Sequence, residues 1–341
     1  MLCYYHSGDV TNLIFPQLGS GRIVIMSVAE DEDKMEANTM MCCASCGKTE
    51  VDDVKLKTCT ACKLVRYCSV DCQRNHRSQH KRACKKRAAE IRDDLLFTQP
   101  GSTHLGECPL CCVPLPLGDE KNSMYTCCCK VICKGCDLAN DLREMEGGLE
   151  HKCPFCREPL PENENKQKCQ KNLVERIKAN DPVALCQMGL QCFFDEGDYE
   201  KAFEYHTRAA ELGDMEAHYN LGVMYRDGIY VEKDEKKAAR HWEEATIGGH
   251  PHARFSLACY EGRNGRMDRM RKHFIIAAKL GSDDALERLK RMQANGSASN
   301  EDVELALRGY QAAVDATKSQ QRDAAEEHYK RQNRVTPKRL L

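Results

Sequence analysis

From Asn180 onward, small and large apolar positions return with a fixed period. Ala184, Ala217, Ala253 and Ala285 stand at intervals of 33, 36 and 32 residues. Four and five residues after each comes a pair: Met188-Gly189, Leu221-Gly222, Leu257-Ala258 and Leu289-Lys290. The first three segments close on a small-residue pair and a glycine: Ala209-Ala210-x2-Gly213, Ala245-Thr246-x2-Gly249 and Ala277-Ala278-x2-Gly281. Self-similarity at such a period marks stacked helical units. Each unit predicts two short helices, brought close by Ala and Gly and ended by the final Gly. Phe203, Trp242 and Phe274 read as packing between helices. The histidines at 206, 218, 241, 250, 252 and 273 show no ligand spacing and read as structural. Residues 181–294 are thus expected to form an all-α solenoid of helix pairs. A Gly/Ser/Asn break at 295–300 follows, then a helical cap and basic tail, 295–341 in all.

Before residue 160 the texture is different, with short polar stretches punctuated by cysteine pairs. The first array reads Cys43-x2-Cys46, Cys59-x2-Cys62, Cys68-x3-Cys72 and His80-x3-Cys84. Seven thiols and one imidazole are the number needed for two closed tetrahedral zinc sites. His80 and Cys84, at i and i+4, share one helix face. The second array reads Cys108-x2-Cys111, the run Cys127-Cys128-Cys129, Cys133-x2-Cys136 and Cys153-x2-Cys156. It also holds enough ligands for two sites. Neither array has the apolar sequence to form a core unaided, so zinc is expected to supply the folding energy of 43–156.

The chain has 341 residues, enough for two to four compact units, and 23 of them are cysteine. No basic start followed by an apolar run marks a secretory signal, and no stretch approaches the ~20 apolar residues that cross a bilayer. Paired cysteines without secretion point to metal rather than disulfides, and so to cytosol or nucleus. The net charge of −1 gives no case for nucleic acid. A basic cluster, Arg74, Arg77, Lys81, Arg82, Lys85, Lys86 and Arg87, lacks aromatic neighbours for base stacking and reads as a solvated helix face. Residues 1–41 read as a disordered tail with an acidic run at 30–36, 96–107 as a linker and 161–180 as a linking helix.

The first array, with Tyr67-Cys68-Ser69, Cys72-Gln73 and His80-Lys81, resembles the MYND-type zinc finger, here over 42–95 with the following helix. The resemblance implies interleaved ligands: Cys43, Cys46, Cys68 and Cys72 on one zinc, Cys59, Cys62, His80 and Cys84 on the other. MYND fingers bind proteins, several through a peptide groove formed by a Gln and a Trp. Gln73 matches the first, and Arg77 stands where the Trp would be.

The second array resembles an all-cysteine RING finger over 108–160. That implies Cys108, Cys111, Cys133 and Cys136 on one zinc, and Cys153 and Cys156 sharing another with two of 127–129. Related layouts read Cys-Cys-Gly/Ser-Lys-x-Ile-Cys, which favours Cys127 and Cys128, although adjacent residues chelate one metal awkwardly. Four zinc ions are implied in total. In RING ligases a shallow apolar surface and a basic residue engage a ubiquitin-conjugating enzyme; Leu110, Pro154 and Arg157 match those positions, while Asn140 occupies the apolar place in the central helix. The repeats resemble Sel-one-like repeats of the tetratricopeptide superfamily, clearest at Ala217-His218-Tyr219-Asn220-Leu221-Gly222. The order MYND, RING-like, Sel-one-like resembles a multi-domain family, and Ala313-Val314-Asp315-x-Thr317-Lys318 adds to the likeness. The fold class expected is small zinc-stapled domains plus an all-α solenoid. The function implied is a zinc-binding adaptor for proteins or peptides, with no membrane partner; the alternative is a RING-type ubiquitin ligase whose substrates are recruited by the MYND finger and the repeats. A methyltransferase is set aside, since no cofactor-binding glycine motif is present.

Overall fold

The computed structural model describes residues 42–50, 55–160 and 166–335. The tail 1–41, the start of the linking segment at 161–165 and the basic end beyond 335 lie outside the described residues. The chain divides into two compact units, one up to Ile91 and one from Arg92 onward.

The first unit is built around sulfur. Strands β1 (Lys57–Thr58) and β2 (Arg66–Tyr67) pair antiparallel, Lys57 opposite Tyr67 and Thr58 opposite Arg66. Helix α1 (Val70–Phe97) follows. The core is Cys43, Leu56, Cys59, Cys62 and Tyr67, so three of its five buried residues are thiols. Apolar burial on that scale cannot hold a fold by itself.

The second unit opens on the last residues of α1, then a stretch without regular structure to residue 106. A short hairpin comes next, β3 (Asn122–Tyr125) and β4 (Lys130–Cys133), with Asn122 opposite Cys133. Helix α2 (Lys134–Glu146) starts directly on Cys133, and the local core again mixes thiols with Leu115, Tyr125 and Ile132. Helix α3 (Lys166–Lys178) leads into antiparallel helix pairs. These are α4 (Pro182–Gln191) with α5 (Tyr199–Glu211), α6 (Met215–Asp227) with α7 (Glu235–Ile247), and α8 (Pro251–Arg263) with α9 (Met267–Lys279). Helices α10 (Asp283–Ala294) and α11 (Asn300–Ala316) close the stack against α9. The final helix, α12 (Gln320–Val335), packs instead on α2.

The periodic alanines acquire a physical reason. Each lies at the third position of a first helix, and its backbone N–H is capped from three residues earlier: Ala184 by Asp181, Ala217 by Asp214, Ala253 by His250 and Ala285 by Ser282. All four alanines are fully buried. The glycine just before three of these caps takes the left-handed conformation that ends the preceding helix, with φ of 88° at Gly213, 83° at Gly249 and 92° at Gly281. Each glycine and cap together form one reversal, repeated along the stack.

Phe203, Trp242 and Phe274 all pack between helices, as expected, but not in one equivalent place. Trp242 and Phe274 are buried in equivalent places, but the residue matching them in the first pair is His206, not Phe203. A Cβ on Gly189 would come within 2.7 Å of the His206 ring, and one on Gly222 within 2.2 Å of Trp242. The small position on the first helix therefore receives the ring of the second. Phe203 lies half-buried, edge-on to Tyr225 at 5.7 Å.

One buried cation crosses this core. Arg254, fully buried on α8, donates to the carbonyls of Leu96 (2.7 Å) and Thr246 (3.0 Å). Burial lowers its pKa to about 10. Leu96, at the end of α1, belongs to the same apolar cluster as Trp242 and Leu257.

Candidate metal centres

Four Cys-x2-Cys loops fold into one turn. In each, the residue after the second cysteine has positive φ and its N–H donates to the carbonyl of the first. Gly47 (φ 74°) bonds Cys43 at 2.9 Å, Lys63 (57°) bonds Cys59 at 3.0 Å, Cys112 (55°) bonds Cys108 at 2.8 Å and Arg157 (62°) bonds Cys153 at 3.1 Å. Behind the turn, the first cysteine's own N–H reaches Lys48, Val113 or Glu158, five residues on, and Val65, six on, in the Cys59 loop. The turn leaves both sulfurs on one side. Three of the four loops fill the left-handed position with a residue other than glycine, at a conformational cost of about 1–2 kcal/mol.

Cys68-x3-Cys72 and Cys133-x2-Cys136 complete their sets from helix starts, and His80 and Cys84 from one face of α1. Four groups result: Cys43, Cys46, Cys68, Cys72; Cys59, Cys62, His80, Cys84; Cys108, Cys111, Cys133, Cys136; and Cys127, Cys128, Cys153, Cys156. In each, all donor atoms lie within 4.8 Å of one another. Sulfur pairs stand at 3.5 Å (Cys46–Cys68), 3.8 Å (Cys59–Cys84), 3.9 Å (Cys111–Cys133) and 3.4 and 3.7 Å (Cys127–Cys156 and Cys128–Cys153), and Cys62 Sγ is 3.3 Å from His80 Nε2. A disulfide would need about 2.05 Å. Two thiolates on one tetrahedral zinc at a bond length of ~2.3 Å sit about 3.8 Å apart. The spacing fits zinc, and the described cysteines are all free thiols.

Electrostatics agrees. Burial raises the Cys43 thiol, but the Cys46 and Cys68 amides outweigh it and bring the pKa down to about 6. Cys68, which shares hydrogen bonds with Cys46 and Cys72, is pushed up to about 12. Four thiolates cannot coexist there without a cation among them.

Cys129 stands outside the fourth group. Its φ of 55° turns it away, and its side chain is buried with Leu173, Ala184, Met188 and Ala202, where α3 meets the first repeat. Of the candidate enzyme-contact residues, Leu110 is exposed at 44 %, Pro154 half-buried and Arg157 exposed. Asn140 is buried, its Oδ1 held by Arg143 at 2.9 Å. Gln73 and Arg77 lie exposed on α1.

A fifth cluster of ligand types joins His104, Glu216 and His250. Both histidine Nε2 atoms approach one Glu216 oxygen, at 3.3 and 3.0 Å, and the two rings stack at 4.0 Å. His250 Nδ1 accepts the Ala253 amide that it caps, so the proton of the neutral ring is on Nε2 and is donated to Glu216. A metal would need a lone pair on that atom. The trio is a hydrogen-bonded clamp, and burial lowers His250 to about 4 despite the neighbouring carboxylate. With the His104 N–H bonded to the Gly249 carbonyl (3.2 Å), it fastens the 98–107 stretch to the repeats. No spacing in the sequence signals these contacts.

Residues 43–84 match the family model of the MYND finger, and residues 182–214 and 216–250 that of the Sel1 repeat. Two solved structures are similar. One is a Sel1 repeat protein from Oxalobacter formigenes, 22% identical over 52% of this chain and 70% of that one, with a TM-score of 0.40. The other is c5321, a protective antigen of uropathogenic Escherichia coli strains with an SLR fold, 25% identical over 43% of this chain and 33% of that one, TM-score 0.36. No helix among the described residues is long and apolar enough to cross a membrane.

Proposed function

We propose, from a MYND finger at 43–84 and Sel1 repeats at 182–250, that this chain is a zinc-dependent adaptor of the cytosol or nucleus, binding protein or peptide partners. One observation carries the reading: each of the four donor groups offers four protein ligands, with no position left for water or substrate. Closed sites of that kind are structural, whereas catalytic zinc keeps an open place. The ligands proposed are the sixteen residues of those groups, with Cys127 and Cys128 rather than Cys129 in the fourth. Zinc content of metal-purified protein should be four per chain. It should fall to three with Cys127→Ser or Cys128→Ser and stay at four with Cys129→Ser. A content of two, confined to 43–84, would end the four-site reading. For the adaptor role, partners that copurify with the full chain should be lost when the repeats are deleted.

The second reading is a RING-type ubiquitin ligase, favoured by the exposed Leu110 and Arg157 of the second array. Such a ligase positions a partner's thioester and has no nucleophile of its own. The buried Asn140 in place of an exposed apolar side chain weakens that surface. Autoubiquitination that disappears with Leu110→Ala would favour this reading; silence with every conjugating enzyme tried would leave the adaptor.

A further inference from the structure

The last helix carries a cation that the repeats do not use. Arg322, at the start of α12, reaches back over two hundred residues to the Cys108 knuckle. Its guanidinium donates to the carbonyls of Pro114 (2.6 Å) and Val113 (3.0 Å) and to Thr317 in its own turn (2.7 Å). The same Nη2 lies 3.5 Å from Cys111 Sγ. The neighbouring Gln321 places its side-chain Oε1 3.9 Å from Cys136 Sγ, accepting from the thiol. Against a metal-bound thiolate, which has no proton to give, the same amide would present its N–H₂ instead. The fit is close: a Cβ on Gly135 of α2 would come within 2.9 Å of the Arg322 backbone nitrogen. Ala325, one turn on, is fully buried.

Arg322 is half-buried and pairs with no carboxylate among the described residues. Zinc held by four thiolates keeps a net negative charge, and N–H donors to the sulfurs stabilise it. We infer that Arg322 and Gln321 form the outer shell of the Cys108/Cys111/Cys133/Cys136 centre, so that the C-terminal helix is an integral part of the second zinc array rather than a cap on the repeats alone. Arg322 is a positioning residue: it holds the knuckle backbone and shields the Cys111 sulfur. The inference rests on zinc occupying that group.

The test is alkylation of the zinc-loaded full chain by iodoacetamide, mapped cysteine by cysteine. With Arg322→Ala, Cys111 should react about tenfold faster, the equivalent of one charge-assisted hydrogen bond. Cys46 and Cys156 should keep their rates. Arg322→Lys should fall between, since it retains the charge and loses the fork. Gln321→Leu, which leaves the knuckle contacts intact, should expose Cys136 selectively and serves if Arg322→Ala does not fold. An unchanged Cys111 rate in Arg322→Ala with four zincs bound would overturn the role of Arg322 alone, as would equal acceleration in all four groups. Free-thiol rates at Cys108, Cys111, Cys133 and Cys136 in the unaltered protein would overturn the zinc assignment first, and this inference with it.

Discussion

The knuckles of 43–157 and the helix junctions of the repeats solve the same problem by different means. Both reverse the chain through one left-handed residue and an N–H returned to an earlier carbonyl. In the repeats that residue is glycine at three junctions and Asn180 (φ 55°) at the first, the next is a side-chain cap, and the buried product is alanine against a ring. In the knuckles three of the four left-handed residues are Lys63, Cys112 and Arg157, and the buried product is sulfur. A chain that tolerates strained residues at its turns needs another source of energy, and metal binding can supply roughly 10 kcal/mol or more per site. The repeats have no such reserve and place glycine at three of their four capped junctions, with Asn180 at the first.

Removing the metal should therefore separate the regions most sharply. A strong chelator is expected to abolish the folded structure of 43–156 while the helices of 182–316 persist. Hydrogen exchange resolved by peptide would show full loss of protection in the first and little change in the second. Retention of protection at Tyr67 and Ile132 in metal-free protein would break the comparison.

The converse is a change in the repeats that leaves zinc alone. Trp242→Ala empties the space above Gly222 and should cost about 3–5 kcal/mol of repeat stability. Arg254→Leu should cost about 1–3 kcal/mol, because the Leu96 carbonyl would lose the donor it has in Arg254 while the Thr246 carbonyl keeps the Gly249 amide. Both are measured as a lower denaturant midpoint with zinc content still at its original value. A matching drop in zinc would mean the repeats contribute to holding the metal.

Acid should weaken both regions, each for its own reason. In the repeats His206, His241 and His250 are lowered to about 4 and His273 to about 3, in every case first by burial. A histidine whose folded pKa lies below its unfolded value of 6.5 binds its proton more readily when unfolded. Its share of stability is intact above pH 6.5 and is lost on descent toward pH 4, at up to about 1.4 kcal/mol per pH unit for each. His273 has no hydrogen-bond partner on either ring nitrogen and lies against Phe97 at 4.7 Å. His273→Phe should therefore flatten the profile between pH 6.5 and 4, read from urea midpoints of the zinc-loaded protein. An unchanged slope would assign the acid sensitivity to the other three histidines or to the zinc sites.

How much of this could be read from the chain follows the same division. The ligand pairs and the alanine–glycine period were legible because each is a local pattern repeated several times, and repetition makes a spacing visible. What stayed hidden were single polar residues acting over long separations. Arg254 reaches Leu96, Arg322 reaches Val113 and His104 meets Glu216, with no spacing to mark any of them. Cys129 is an intermediate case: the resemblance set it apart from Cys127 and Cys128, but nothing in the sequence said that its sulfur would face the core of the first repeat. In the first repeat Phe203 does pack against the core between helices, but the ring over the small position Gly189 is that of His206.

The smallest effects test the turn comparison itself. Gly47 has open space around a would-be Cβ, so Gly47→Ala tests conformation alone and should weaken zinc retention at its site by about 1 kcal/mol. Lys63→Gly should do the reverse. It removes left-handed strain of about 1–2 kcal/mol and adds chain entropy of about 0.5–1 kcal/mol in the unfolded state, a net gain of up to about 1.5 kcal/mol. Both are read as shifts in the chelator concentration that removes half the zinc of 43–84. In the repeats the substitutions should rank by space: Gly213→Ala meets nothing within 4 Å, while Gly249→Ala would press on the Ser102 carbonyl at 2.6 Å beside the His104 clamp. Gly249→Ala should therefore cost more than Gly213→Ala, and neither should move zinc. If Lys63→Gly weakened zinc retention instead, the Lys63 side chain would have a role of its own, and strain balanced by metal would no longer explain the knuckles.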